Sequence, residues 1–260
     1  MLSPCAEIVR RHDPDRFLSV LFAPPEARDT LFTLYALNHE LARAREVVSN
    51  PMLALIRLQW WREVAEGARR RHDVAGPLGE ALDSGALHAS DLLGMIDGRE
   101  AEADPVETEA AFCDYVRATA GGVAVAAGRA LGAKAAALDA LRDLGAAYGA
   151  AGILRSIPAL AQQSRCMLPE DLLAQHGLDT AIVIADPRQP GLAPVRARIA
   201  AIGSGWLDAG RAVRLPRPVI NAALPAVLAR RDLLRGGDGP PVRGLGDRLW
   251  VTVAAARGRV

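Results

Sequence analysis

Lysine, cysteine and aromatic residues are scarce in this sequence of 260 residues, and each shortage excludes a class of protein. Lys134 is the only lysine, so 30 of the 31 basic residues are arginine. The three cysteines are too scattered and odd in number for a disulfide framework or a zinc site, and we expect a reducing compartment. Aromatic residues make up 4% of the chain whereas alanine supplies 50 residues, which favours helices over an all-β fold.

The chain also lacks an excess of charge of one sign and a long apolar run. The 31 basic and 30 acidic side chains nearly cancel, which argues against a nucleic-acid binder. Residues 1–15 contain no apolar stretch of the signal-peptide type, and no later run approaches ~20 uncharged apolar residues. We therefore expect a cytoplasmic protein, either soluble or peripheral at the inner face of the cytoplasmic membrane.

Apolar residues recur at the three- and four-residue spacing of helices along most of the chain. Ser49, Asn50 and Pro51 have the composition of a helix start, and residues 179–194 are predicted to form a loop. Shorter helices are expected after Pro77, Ser90 and Pro169. Longer helices are predicted at about 25–48, 106–131, 134–160, 195–213 and 218–234, and another begins at Pro51 and ends either before Gly67 or within Arg69–Arg71.

This pattern predicts a single all-α domain built as a helical bundle. We place an N-terminal extension at residues 1–15 and the helical domain at residues 16–235. Residues 236–260 are expected to form a Gly/Pro linker followed by a short C-terminal apolar segment.

Two generic site signals have simpler structural explanations. Ser204 lies between two glycines, but the strand context of a nucleophile elbow is missing. Asp139 and Asp143 share one helix face and have a spacing that suits Mg²⁺, although Arg142 beside them favours a solvated surface. The five histidines include no pair at the spacing of helical metal ligands. We therefore predict no metal site from these residues.

Six short groups of residues occur in one order along residues 16–177. They are Phe22–Arg28 with Leu34–Asn38, Leu58–Glu63, Ile96–Gly98, Tyr115 with Ala120–Val123, Ile153–Arg155, and Arg165–Pro169. Their order resembles the squalene/phytoene synthase family. The resemblance covers about two-thirds of the chain and implies a helical bundle of the isoprenoid-synthase type.

The resemblance also implies a metal site whose residues this sequence has changed. In the family's enzymes, two aspartate-rich motifs on facing helices hold Mg²⁺ ions, which stabilise the diphosphate leaving group of a prenyl substrate. Residues 42–46, at the first motif, read Ala-Arg-Ala-Arg-Glu, so Glu46 is the only carboxylate there. Residues 156–160, at the second motif, read Ser-Ile-Pro-Ala-Leu and contain none. The pattern argues against Mg²⁺-dependent prenyl condensation, and no cofactor is predicted.

The altered segments are similar to one subgroup of that family. They are Asn38–Ala42, Val48–Ser49, Arg57–Trp61 and Leu154–Pro158. The subgroup contains the mitochondrial complex I assembly factor 6 and its bacterial relatives, which lack the aspartate pairs. This resemblance implies an accessory role in building respiratory complex I, with a complex subunit or another assembly factor as partner.

A modified pocket at the former metal site is the main ligand-binding hypothesis. Arginine is expected to replace metal there as the partner of a phosphate, because a guanidinium donates two parallel hydrogen bonds to phosphate oxygens. The expected ligand is a prenyl phosphate, a phospholipid head group or an acidic peptide segment. The alternative is that Glu46 pairs with Arg43 or Arg45 and that the cavity has collapsed. The candidate ligand-binding residues are Tyr35, His39, Arg43, Glu46, Gln59, Arg155 and Arg165.

Two other functions stay open at this point. The first is an active prenyl-diphosphate transferase that holds Mg²⁺ with Glu46 and carboxylates from elsewhere, such as Asp97 or Glu100. The second is a carrier of lipids or isoprenoids. Trp60 and Trp61 point about 100° apart on a helix, so at most one of them lines such a cavity and a core role is favoured.

The C-terminal segment has a composition that suits a lipid surface. Leu249–Val251 is apolar and is flanked by arginines, a combination found in helices that rest on anionic lipid. Packing of this segment onto the domain is the alternative. The flanking arginines are Arg243, Arg248, Arg257 and Arg259.

Overall fold

The computed structural model describes residues 2–48, 50–236 and 243–260, so most of the predicted Gly/Pro linker lies outside the described residues. The first half contains α1 (Pro4–His12), α2 (Pro14–Leu21), α3 (Pro25–Glu46), α4 (Pro51–Ala65), α5 (Ala75–Asp83), α6 (Ala89–Glu100), α7 (Glu109–Val116) and α8 (Gly122–Ala130). The second half contains α9 (Ala135–Gln162), α10 (Glu170–Ala174), α11 (Thr180–Ala185), α12 (Ala193–Arg211), α13 (Ile220–Ala223), α14 (Pro225–Leu234) and α15 (Leu245–Arg257). No strand occurs in the described ranges, and the predicted all-α fold is confirmed.

Local sequence sets several helix starts. The Asn50 side chain accepts a hydrogen bond from the backbone N–H of Met52 at 2.9 Å, and Pro51 occupies the first helical position of α4. Ser49, which precedes Asn50 in the predicted helix start, lies outside the described residues. Thr108 caps α7 in the same way by accepting from the N–H of Ala111 at 3.1 Å.

The long helix α9 runs through the centre of the molecule. Its first half packs in an apolar cluster with α3, α6 and α8, and its second half packs in a cluster with α7 and α12. By length and hydropathy alone α9 also passes as a membrane-spanning helix, but half of its most apolar stretch is buried inside the fold. The composition of α9 is therefore explained by its place in the core.

Glycines let α9 approach the segment Arg117–Gly121, which forms a π-helical turn between α7 and α8. A Cβ atom built on Gly145 would lie 2.6 Å from the backbone oxygen of Ala120 and 2.7 Å from the Cβ of Ala124. Gly152, two turns further along α9, has nothing within 4 Å of its Cβ position. A Cβ atom on Gly149 would likewise lie 2.6 Å from the Cβ of Ala120, so the close approach depends on Gly145 and Gly149.

We expect Gly145→Ala to lower the free energy of unfolding by about 1–3 kcal/mol, because the backbone of the π-helical turn has to shift. The matched variant Gly152→Ala is expected to be neutral or to stabilise by up to about 1 kcal/mol, since alanine favours helix over glycine. Urea denaturation followed by circular dichroism measures both. Equal stability of the two variants would contradict the packing at Gly145.

Three predicted segments differ from the structure. Residues 179–194, predicted as a loop, contain α11 and a 3₁₀ turn at Pro190–Leu192, because Asp179 caps α11 by accepting from Ile182 N–H at 2.7 Å. The helix predicted at 106–131 is present as one continuous run from Glu109 to Ala130, and it differs only in the π-helical turn that joins α7 to α8. The helix predicted at 218–234 is divided before Pro225, which begins α14.

The chain ends are more structured than the predicted extension and tail. Residues 4–12 form α1, and its Cys5, Ala6 and Val9 lie in the same apolar cluster as α3, so the packed core begins before residue 16. At the other end, α15 covers 13 residues and packs Val251 onto α14.

Candidate functional site

The positions of the two former aspartate motifs face one cavity between α3 and α9. We call this cavity the hollow; its volume is about 220 Å³. Ala42 and Glu46 line the hollow from α3, and Ser156 and Leu160 line it from α9. The sequence therefore located the two motif positions correctly with respect to each other.

The charged wall of the hollow is a buried cluster around Glu102. Its carboxylate accepts hydrogen bonds from the guanidinium groups of Arg99 at 2.5 Å and Arg165 at 2.6 Å. Tyr115 Oη donates to the same carboxylate at 2.8 Å and accepts from Arg99 Nη1 at 3.2 Å. The side chains of Glu102 and Arg165 are only 5% and 8% exposed. Glu102 is thus committed to two arginines and has little freedom to bind a cation.

The surroundings of this cluster shift the pKa of Glu102 and that of Tyr115 in opposite directions. Burial disfavours the charged form of Glu102, but the guanidinium groups of Arg99 and Arg165 outweigh it and lower the pKa of the carboxyl group. Burial and the negative charge of Glu102 raise the pKa of Tyr115. At neutral pH the carboxyl group is therefore ionised and the phenol is protonated.

Arg16 separates the hollow from the interior of the bundle. Its guanidinium carbon lies 5.5 Å from the centre of the Tyr35 ring and 5.0 Å from that of Tyr148, and Nη1 donates to Asp13 at 2.7 Å. Beyond Arg16 is a void of only about 10 Å³, which holds about one water molecule. Burial raises the pKa of Tyr35 to about 12. Arg16 and Tyr148 therefore line both the hollow and the void and stand between them.

A larger open cleft of about 1370 Å³ lies beside α2, the second half of α9 and α15. An ion network forms part of its wall. Asp232 accepts from Arg243 at 2.9 Å through both oxygens and lies 3.1 Å from Nη1 of Arg155. Asp15 accepts from Arg243 at 2.9 Å and from Tyr148 Oη at 3.0 Å. Two carboxylates therefore neutralise Arg155 and Arg243.

The seven predicted ligand-binding residues are distributed over several places. Glu46 and Arg165 line the hollow, Tyr35 borders the small void, and Arg155 belongs to the cleft. The ring of His39 stacks on the ring of His12, with 4.2 Å between their centres. The spacing of histidines in the sequence did not reveal this pair, because the two residues lie on different helices, α1 and α3. Burial and the charge of His12 lower the pKa of His39.

The remaining two predicted residues lie on helix surfaces. Arg43 pairs with Glu40 on its own helix at 3.3 Å, whereas the alternative expectation had paired it with Glu46. Gln59 is exposed on α4. Beside it, Trp61 is 4% exposed and Trp60 packs against the same core, as the core interpretation of the two tryptophans predicted.

The carboxylates that an active prenyl-diphosphate transferase would need to bind Mg²⁺ form ion pairs with arginines instead. Asp97 and Glu100 both accept from Nη2 of Arg62, at 2.5 Å and 2.7 Å. Asp143, one of the pair on α9, accepts from Arg117 at 2.5 Å. These three groups therefore support surface ion pairs between helices.

The residues of the hollow do not fit the Mg²⁺ cluster that the family's enzymes use. Mg²⁺ requires an octahedral set of oxygen ligands with carboxylates among them. Of the carboxylates that line the hollow, Glu46 is exposed at the helix end and Glu102 is bound by two arginines. Within the described residues, no group of three or more His, Cys, Asp or Glu side chains is arranged to hold a metal ion.

Sequence reasoning missed Arg16, Arg99 and Glu102. Glu102 lies in the acidic run 100–109, which has the composition of a solvated surface, and its partner Arg165 is 63 residues away. For Arg16 the sequence did hold one signal, the three-residue spacing from Asp13 that suits an ion pair on a helix. The signal was weak because the apolar spacing typical of a helix begins only later in the chain.

Comparison of the sequence with known proteins gives relatives of one kind. Complex I assembly factor 6 of Mus musculus is 29% identical over 181 residues, and that of Homo sapiens is 28% identical over 181 residues. Each match covers 67% of this chain and 54% of the relative. The homologue from Drosophila melanogaster is 26% identical over 195 residues. The chain thus spans about half the length of these relatives.

Solved structures and the family profile agree on the fold. A dehydrosqualene synthase in complex with a ligand superposes with a TM-score of 0.81 at 16% identity, over 97% of this chain and 94% of that one. A squalene synthase from Alicyclobacillus acidocaldarius gives 0.66 at 19% identity, over 98% and 92%. The profile of squalene/phytoene synthases matches residues 9–235. The chain therefore belongs to the squalene/phytoene synthase family.

Proposed function

We propose that this chain is a non-catalytic member of its family that assists the assembly of respiratory complex I. The observation that carries the proposal is the shortage of free carboxylates around the hollow. Three of the motif positions that face it are Ala42, Ser156 and Leu160, and the buried Glu102 is neutralised by two arginines. Without clustered carboxylates there is no means to gather Mg²⁺ around a diphosphate leaving group.

The closed interior supports the same proposal. A prenyl condensation needs space for two long hydrocarbon chains next to the reacting carbons. Here the buried guanidinium of Arg16 stands between the hollow and the void, and the void admits about one water molecule. Apolar chains gain nothing from contact with a buried ion pair such as Arg16–Asp13.

The assembly role draws its support from the relatives, which are named as complex I assembly factors in mammals and in an insect. Under this proposal the partner is a subunit of the respiratory complex or another assembly factor. The site of action is the cytoplasm at the inner face of the cytoplasmic membrane.

A bound prenyl phosphate or phospholipid head group stays a prediction. Arg99 and Arg165 share the single carboxylate of Glu102, which leaves one positive charge in excess at the wall of the hollow. Arg155 is less suited to bind an anion than expected, because Asp15 and Asp232 already neutralise the charges of both Arg155 and Arg243. The anion, if bound in the hollow, is expected to contact Arg165 rather than Arg155.

Deletion of the gene in its host, with complementation, tests the proposal. We expect NADH:quinone oxidoreductase activity of the membranes and the amount of assembled complex to fall, while succinate:quinone oxidoreductase activity stays constant. Glu46→Gln is the informative variant, since it removes the last carboxylate at the motif positions. It is expected to restore complex I as well as the wild type does.

A product assay separates the two halves of the proposal. The purified chain with Mg²⁺ and farnesyl or geranylgeranyl diphosphate is expected to form no squalene or phytoene. Product formation, or failure of Glu46→Gln to complement, would overturn the non-catalytic half. Unchanged complex I in the deletion strain would overturn the assembly half.

A further inference from the structure

The C-terminal helix α15 is apolar on two opposite sides, and only one side is covered. Val251 and Ala254 face inward and join the apolar cluster of Leu224 and Leu228. On the outer side, Leu245 is 84% exposed, Leu249 64% and Trp250 58%. Exposed leucine and tryptophan side chains clustered on one side of a helix are typical of a face that contacts a second apolar surface.

The negative and positive charges of α15 lie on different sides of the helix. Asp247, the only carboxylate in its sequence, is buried, pairs with Arg231 and accepts from the N–H of Gly244 at 3.0 Å. Arg248 and Arg257 are both exposed, Arg248 about 100° to one side of Leu249 around the helix and Arg257 about 80° to the other side, about two turns beyond Trp250. The outward side of α15 therefore presents cations only.

Neighbouring residues extend the positive charge beyond the helix. Arg217 donates to the backbone oxygen of Ala256 at 3.4 Å and is itself exposed, and Arg259 is exposed just after the helix. Leucine and tryptophan between flanking arginines are the composition of helices that lie in the plane of a lipid surface. Each arginine near such a surface adds attraction to anionic head groups.

We propose that the outer side of α15, formed by Leu245, Leu249 and Trp250 with Arg248 and Arg257, docks this protein on the surface of an anionic phospholipid bilayer. The helix lies parallel to the membrane with its leucines and tryptophan among the head groups and acyl chains. Its inner side stays on α14, so docking requires no unfolding of the domain.

Truncation of the tail is an unsuitable test because it would remove Arg243, which holds Asp15 and Asp232. Leu249→Gln/Trp250→Gln is better, since both side chains are exposed and their loss leaves the core intact. The matched control is Met52→Gln/Ile56→Gln on α4, where the two side chains are 61% and 60% exposed. Flotation of the full chain with vesicles measures all three proteins.

We expect the wild type to float with vesicles of equal phosphatidylglycerol and phosphatidylcholine, and to float less with pure phosphatidylcholine or at high salt. The α15 variant should lose about tenfold or more of its partitioning, and the α4 variant should keep it. Tryptophan emission should shift to the blue with anionic vesicles in the wild type and less in Trp250→Gln.

Three results would contradict the proposal that α15 docks on a membrane. They are an absence of flotation with anionic vesicles, equal flotation of the α15 variant and the wild type, and an equal loss in the α4 variant. Self-association that depends on Leu249 and Trp250, with no flotation, would assign the face to a second copy of the chain instead. None of these results depends on the role in complex I assembly.

Discussion

Replacing Glu102 by glutamine is expected to lower the free energy of unfolding by about 3–5 kcal/mol, because it leaves Arg99 and Arg165 buried without their counter-ion. The substitution keeps the size of the side chain, so the loss reports charge and hydrogen bonding rather than packing. Tyr115 also loses the carboxylate that its hydroxyl group contacts at 2.8 Å. Urea denaturation at pH 7 measures the change.

Glu100→Gln is the matched control for this prediction. Glu100 also pairs with an arginine, Arg62 at 2.7 Å, but its side chain is 43% exposed. Exposed pairs of this kind contribute about 0–1 kcal/mol, so the control should lose no more than that. Similar losses in the two variants would mean that the Glu102 cluster is not the buried ion network described above.

The stability difference between the wild type and Glu102→Gln should depend on pH. The folded protein holds the pKa of Glu102 below the ordinary value of 4.5, so its contribution is fully present above that pH. The contribution is lost as the pH falls through the lowered pKa, because the carboxyl group is then protonated in both states. The two proteins should therefore converge in stability at acid pH, and a constant difference would contradict the assignment.

Replacing Asp232 by asparagine is expected to cost about 3–5 kcal/mol as well. Asp232 is 3% exposed and binds Arg243 through two hydrogen bonds and Arg155 through one ion pair. Asparagine leaves Asp15 as the single carboxylate for two partly buried guanidinium groups. Because Arg243 lies two residues before the start of α15, the variant should also weaken the packing of that helix on the domain.

Denaturation and hydrogen exchange measure the two consequences of this variant. The midpoint of urea denaturation should fall, and amide protection in α15 should fall more than amide protection in α3. Asp208→Asn on α12 is the control, since Asp208 is exposed and surface substitutions change stability by about 0.5 kcal/mol or less. Unchanged stability of Asp232→Asn would show that Arg155 and Arg243 are held without it.

Much of the fold was predictable because helices carry a local signal. The apolar spacing placed α3, α4 and α9 within a few residues of their observed ends. The errors fall where that signal is weak or interrupted: α11 is only six residues long, and Pro225 divides a helix that the apolar pattern continues. A short helix shows too few turns to reveal a period, so its cap decides whether it forms.

The candidate site was only partly predictable. The two altered motifs were expected to face each other, and Ala42, Glu46, Ser156 and Leu160 do line one hollow. The charged groups of that hollow were assigned less well, since Arg43 pairs along its own helix. Glu102 was hidden in an acidic run, where neighbouring charges are the usual mark of a solvated surface.

From its residues alone, the chain is predicted to be helical, its main helices can be located, and the aspartate motifs are seen to keep one carboxylate, Glu46, at residues 42–46 and none at residues 156–160. Which charges pair with each other, in contrast, follows from the packing of helices that are distant in sequence. Arg165 reaches Glu102 across 63 residues, and Arg243 reaches Asp15 across 228. Helical periodicity records which side of each helix is apolar, whereas the partner of a buried charge depends on how distant helices pack.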